Sequence, residues 1–121
     1  MKHIMIVEDE QDVLTLVSEV IGGGNEYTIT PAVDGHQALA KARQLHPDLI
    51  LLDVMMPGLD GFEVCRALKA DPATRGIKVI IVSAMNSDQD IEEGMAAGAD
   101  FYLTKPMKIT ELSEKIKELL G

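Results

Sequence analysis

Five short apolar-rich runs, His3–Val7, Tyr27–Val33, Leu49–Leu52, Val79–Val82 and Phe101–Leu103, recur along the chain, and a segment of helical spacing follows each. Side chains of a strand alternate between faces, so a run that is apolar at consecutive positions suits a strand covered on both sides. Strands alternating with helices form βαβ units, whose right-handed crossovers build a parallel sheet between two helical layers. This pattern predicts a doubly wound α/β domain.

The intervening segments support that reading. Val13, Leu14, Leu16, Val17, Val20 and Ile21 recur at three- and four-residue steps until Gly22-Gly23-Gly24 stops them. Asp34-Gly35 opens a second helix whose Ala38, Leu39, Ala42 and Leu45 share a face, ending ahead of Pro47. A third runs from Gly61 to Ala70 with Phe62, Cys65 and Leu68 in line. Ser87-Asp88 caps a fourth carrying Ile91, Met95 and Ala96 before Gly98, and Thr110-Glu111 begins a fifth carrying Leu112, Ile116, Leu119 and Leu120. No repeat, low-complexity tract or linker divides the sequence, so residues 1–121 are read as one domain.

At 46% hydrophobic and 26% charged, 121 residues can bury a core, which an aromatic share of 3% makes aliphatic. Base-stacking platforms for single strands are thereby excluded. Twenty acidic against 11 basic residues leave a net charge of −9, which phosphate backbones repel, so direct nucleic-acid binding is not expected. Cys65 is the one cysteine and reads as core, Met1-Lys2-His3-Ile4 is no secretory leader, and no apolar run nears the ~20 residues of a membrane span. A cytoplasmic, unanchored protein is expected.

In an open α/β sheet, ligands bind beyond the carboxyl ends of the strands. Glu8-Asp9-Glu10, Asp53, Ser83 and Lys105 fall at four of those ends. Each alone has an ordinary structural use: acids at a helix start, a loop entry, a turn hydroxyl, a solvated charge. Together they form a constellation. Three carboxylates, Glu8, Asp9 and Asp53, repel one another unless a divalent cation or Lys105 offsets them. Magnesium suits such oxygen ligands, whereas His3, His36 and His46 fall at no zinc-ligand spacing. Beside such a cation an Asp carboxylate can attack phosphorus and form an aspartyl phosphate. Asp53 is the candidate, with Lys105 and the Ser83 hydroxyl stabilising the phosphoryl oxygens.

Over essentially its whole length the sequence resembles the receiver domain of two-component response regulators. The resemblance is carried by Ile4-Met5-Ile6-Val7-Glu8-Asp9-Glu10, by Pro47-Asp48 through Leu52-Asp53-Val54-Met55-Met56-Pro57-Gly58-Leu59-Asp60-Gly61, by Val82-Ser83-Ala84, and by Gly98-Ala99-Asp100-Phe101-Tyr102-Leu103-Thr104-Lys105-Pro106. It implies a flavodoxin-like (βα)5 fold with strand order 2-1-3-4-5. It also implies Asp53 as phosphoacceptor, and Glu8, Asp9, Asp53 and the Met55 backbone carbonyl around Mg2+. The donor would be a phosphohistidine on a sensor histidine kinase or phosphotransfer protein, and the recipient of the signal a downstream protein or effector domain. Such a domain is not a classical enzyme: it assists its own phosphorylation and dephosphorylation. Ser83 and Tyr102 are implied as a switch pair, the Lys105-Pro106 bond as cis, and a phosphorylation-dependent homodimer as one mode of output.

Four positions depart from or qualify the pattern. Glu8 stands where the family more often has Asp, which bears on whether it meets the metal directly or through water. Met55 and Ala84 sit where the family sets the lifetime of the acyl phosphate. Phe101 either serves the dimerisation or output face or packs against the fifth helix. Two other readings carry over: a haloacid-dehalogenase-like magnesium phosphohydrolase, which would want Asp-x-Asp after strand one, and a phosphorylation-silent scaffold of the same fold. A P-loop enzyme is excluded because no G-x-x-x-x-G-K-[ST] occurs, and a flavodoxin because Glu8-Asp9-Glu10 would repel its phosphate.

Overall fold

The computed structural model describes residues 1–24, 26–106 and 108–121. Its strands are β1 (Lys2–Val7), β2 (Tyr27–Ala32), β3 (Leu49–Leu52), β4 (Lys78–Ser83) and β5 (Phe101–Thr104). Its helices are α1 (Gln11–Gly22), α2 (Gly35–Leu45), α3 (Gly61–Ala70), α4 (Asp88–Ala96) and α5 (Ile109–Leu120). The strands form one parallel sheet in the order β2-β1-β3-β4-β5. This is the flavodoxin-like α/β topology.

The apolar runs are explained by two cores on opposite faces of the sheet. Met5, Val7, Ile50, Leu52, Val79 and Ile81 point into one core, which α2, α3 and α4 close with Ala38, Phe62, Val64, Leu68 and Ile91. Ile4, Ile6, Leu49, Leu51, Ile80 and Val82 point into the other, closed by Leu14 and Ile21 of α1 and Leu112 and Ile116 of α5. Alternation along each central strand therefore serves two dry faces. Edge strand β2 is half-buried and tolerates Pro31, as an edge can. Cys65 is buried, as read. No helix among the described residues is long and apolar enough to cross a membrane.

The cap expected at Ser87 is present, its side chain accepting from Asp90 N at 3.0 Å, and Asp34, where the second helix was read to open, also caps it by accepting from Gln37 N at 2.7 Å. Other local expectations change. Strand β2 stops at Ala32, leaving Val33 exposed, and α5 starts at Ile109 with Lys108 before it. On α1, Leu16 and Val20 face outward, because Leu14 and Ile21 already fill the space over the sheet. On α4, Met95 and Ala96 are exposed, while Gly94 and Ala97 are buried and Ile91 packs on the core. Those last three lie three residues apart, along the face turned to the sheet. Phe101 is half-buried and packs against the α5-side core, with Lys115 Nζ 4.0 Å above its ring.

Candidate phosphoacceptor site

The register of the central strands builds the site. Val7 lies opposite Leu52, so β1 and β3 end at one level and release Glu8 and Asp53 side by side. Backbone hydrogen bonds hold both exits: Asp53 N donates to Val7 O at 3.2 Å and Glu8 N to Ala32 O at 3.0 Å. A carboxylate oxygen from each of Glu8, Asp9 and Asp53 lies within 4.8 Å of the others. Across the sheet Ser83 pairs with Thr104, and Lys105 N donates to Ser83 O at 2.8 Å. Lys105 Nζ then reaches back to Glu8 Oε1 at 3.5 Å and Asp53 Oδ2 at 3.7 Å. The Lys105-Pro106 peptide is cis.

The three carboxylates differ in environment. Asp9 is exposed and opens the cluster to solvent, whereas the side chains of Asp53 and Glu8 are only 11% and 7% exposed. Beneath Glu8 lies a cavity of about 50 Å³ lined mainly by apolar side chains, among them Val13, Val17, Leu51 and Leu112. Burial on this floor pushes the Glu8 carboxyl up from the usual 4.5 to about 7, and the neighbouring Asp53 pushes the same way. The Glu10 N–H, donating to Glu8 Oε2 at 3.2 Å, and the Lys105 ammonium pull it back only in part. The donor set is all oxygen, which fits a hard cation such as magnesium and not zinc.

Ser83 and Tyr102 are linked through Met85. Met85 N donates to Ser83 Oγ at 3.1 Å, and the Tyr102 hydroxyl donates to Met85 O at 2.6 Å. Tyr102 is turned inward, 9% exposed. Met55 N donates to Asp53 Oδ1 at 3.3 Å, and its side chain stands out in solvent. Two residues that sequence reasoning left without a role also shape the site. Gly61 starts α3 directly beneath the Asp53 carbonyl, and Met85 supplies the carbonyl on which Tyr102 rests. Asp60 caps α3 by accepting from Glu63 N at 2.9 Å, and a glycine directly after it was the available signal for the first; nothing local marked the second.

A model of the response regulator receiver domain matches residues 4–117. The chain belongs to that family. It is 42% identical to the DNA-binding dual master transcriptional regulator RpaA of Synechocystis, over 99% of this chain and 49% of that protein. It is 43% identical to the response regulator PleD of Caulobacter vibrioides, over 97% of this chain and 26% of that one. The chain thus spans half or less of these curated relatives. The structure of chemotaxis protein CheY4 from Vibrio cholerae superposes with a TM-score of 0.90 at 28% identity, covering 98% of each chain. The receiver is a phosphoacceptor switch of two-component signalling and not a classical enzyme. Its acidic cluster is of the kind that binds magnesium in this family. The family membership displaces the dehalogenase-like phosphohydrolase reading.

Proposed function

We propose that Asp53 accepts a phosphoryl group from the phosphohistidine of a sensor kinase or phosphotransfer protein, in a magnesium-dependent reaction that switches a downstream protein or effector domain. The observation that carries this reading is the setting of Asp53. Its carboxylate lies at the end of a buried strand, beside two further carboxylates and 3.7 Å from the Lys105 ammonium. A carboxylate oxygen of Asp53 attacks phosphorus, the P–N bond breaks, and the imidazole nitrogen keeps the electron pair. Hydrolysis of the acyl phosphate by water returns the carboxylate and releases inorganic phosphate.

Glu8, Asp9, Asp53 and the backbone carbonyl of Met55 would hold the magnesium, whose charge would offset that of the phosphoryl oxygens. Lys105 supplies a second positive charge to those oxygens, and Ser83 a hydroxyl donor. Ser83 and Tyr102 then report the added charge of about −1.5 to −2 to the surface. Residues 1–121 act as one receiver unit in the cytoplasm, where a kinase can feed it. With a net charge of −9, any contact with DNA falls to an attached or separate effector, as the name of the Synechocystis relative illustrates.

Intact-protein mass after brief incubation with magnesium and acetyl phosphate tests this. A single hydroxylamine-labile phosphoryl adduct is expected, absent without magnesium and absent in Asp53→Ala. An adduct that persists in Asp53→Ala refutes the assignment. No adduct and no phosphate release in the wild type would instead indicate the silent scaffold.

Met55 bears on the lifetime of the adduct. Its exposed thioether side chain, two residues past Asp53, can screen the phosphorus from water, whereas an amide there can hydrogen-bond and orient that water. Met55→Asn is therefore expected to speed dephosphorylation by roughly three- to tenfold, the rate equivalent of one hydrogen bond. Decay of the adduct followed by mass measures it, and equal decay rates refute it.

A further inference from the structure

Gly94 lies inside α4, where glycine costs about 1 kcal/mol relative to alanine. What favours it is space on the face turned to β5. A Cβ at this position would lie 2.7 Å from Tyr102 Cδ2, 2.9 Å from Tyr102 Cε2 and 3.2 Å from Ile81 Cδ1. Ile81 is paired with Tyr102 in the sheet and is fully buried, so the ring is backed by β4 and has no room to retreat. A single methyl group at position 94 must expel the ring or lift the helix.

The ring's place has consequences toward the site. Inward, Tyr102 puts its hydroxyl on the Met85 carbonyl at 2.6 Å, and Met85 N donates to Ser83 Oγ at 3.1 Å. A serine hydroxyl has one proton and two lone pairs. With the Met85 N–H occupying a lone pair, the Ser83 hydroxyl keeps its proton for an acceptor, either the neighbouring Tyr102 oxygen or an oxygen arriving at the strand end, where Ser83 itself is fully buried. Gly94, Tyr102, Met85 and Ser83 thus form one continuous set of contacts from the back of α4 to the phosphoacceptor edge.

We propose that Gly94 is a positioning residue for phosphorylation: by lacking a side chain it seats Tyr102 inward, and Tyr102 through Met85 holds the Ser83 hydroxyl as a donor to the phosphoryl group. The proposal rests on the role given to Ser83 above. It makes the closed arrangement of the switch depend on a residue that touches no reacting atom.

The test exploits a chain with no tryptophan and only two tyrosines. In a Tyr27→Phe background, away from the site, fluorescence and its quenching by acrylamide report Tyr102 alone. Gly94→Ala is expected to raise quenching of Tyr102 severalfold. It should also slow magnesium-dependent adduct formation at Asp53 by about three- to tenfold, the worth of one hydrogen bond. Placed in a Tyr102→Ala background, where the ring is gone, Gly94→Ala should have no further effect on that rate. Unchanged quenching overturns the seat. An equal slowing in the Tyr102→Ala background overturns the route through Tyr102. Should Gly94→Ala alone fail to fold, Gly94→Ala with Tyr102→Ala is expected to fold again, and failure of that rescue overturns the proposal. If wild type forms no adduct at all, it is the phosphoacceptor reading that fails, while the quenching comparison still decides the seat.

Discussion

Raising the pH of the magnesium-free protein from about 5 to about 8 is expected to destabilise it through Glu8, and magnesium is expected to reverse the loss. In the folded chain Glu8 keeps its proton until about pH 7, against 4.5 ordinarily. Between those values the native state binds more protons than the unfolded one, so stability falls as pH rises through the window and stays lower above it. A shift of this size corresponds to a loss on the order of 3 kcal/mol, or roughly 10 °C in the thermal midpoint. Magnesium ligation needs the charged carboxylate, so the cation restores stability most where Glu8 is ionised. Other carboxylates titrate too, and comparison with Glu8→Gln isolates this one. Thermal melts across the pH range, with and without magnesium, should show the variant more stable than wild type at pH of about 8 and less responsive to the cation. Parallel pH profiles for the two proteins contradict the assignment.

Gly61→Ala is expected to disable the receiver by displacing Asp53 itself. A Cβ at Gly61 would collide with the Asp53 carbonyl oxygen and lie 2.7 Å from Val54 Cα, both backbone atoms that no rotamer change can move aside. Gly61 N also donates to Val54 O at 2.9 Å, so the start of α3 is tied to the turn that leaves β3. To admit the methyl group either this tie breaks or the loop that carries Asp53 shifts. Overpacking against backbone should cost about 3 kcal/mol, lowering the thermal midpoint by about 10 °C. Adduct formation should fall at least about tenfold even at temperatures where the variant is folded, because a misplacement of about 1 Å removes productive geometry. Wild-type adduct formation by Gly61→Ala at a temperature well below its melt contradicts this.

How far the site was legible depended on whether its residues act locally. Asp34 and Ser87 could be read as helix starts because a cap needs only its own helix, and each side chain makes its bond within three residues. The convergence of Glu8, Asp53 and Lys105 could be read because parallel strands put their carboxyl ends on one edge. Other features lay beyond such rules. Met95 was expected among the apolar residues of the fourth helix, yet it faces solvent while Gly94 faces the sheet. The apolar composition of a short helix leaves its rotation open, and it is the packing of Ile91, Gly94 and Ala97 against the sheet that fixes it.

The sequence by itself determined the doubly wound fold and the meeting of Glu8, Asp9, Asp53 and Lys105 at the carboxyl edge of the sheet. Bare apolar strands must be covered on both faces, and right-handed crossovers then leave little freedom in topology. Only the tertiary structure decided the chemical state of that edge. Glu8 resembles its acidic neighbours in sequence, but its burial over an apolar cavity raises its affinity for a proton, whereas Asp9 stays in water. Desolvation and steric exclusion are properties of what surrounds a residue in space, so the charge on Glu8 and the seat of Tyr102 on Gly94 arise only when distant segments pack together.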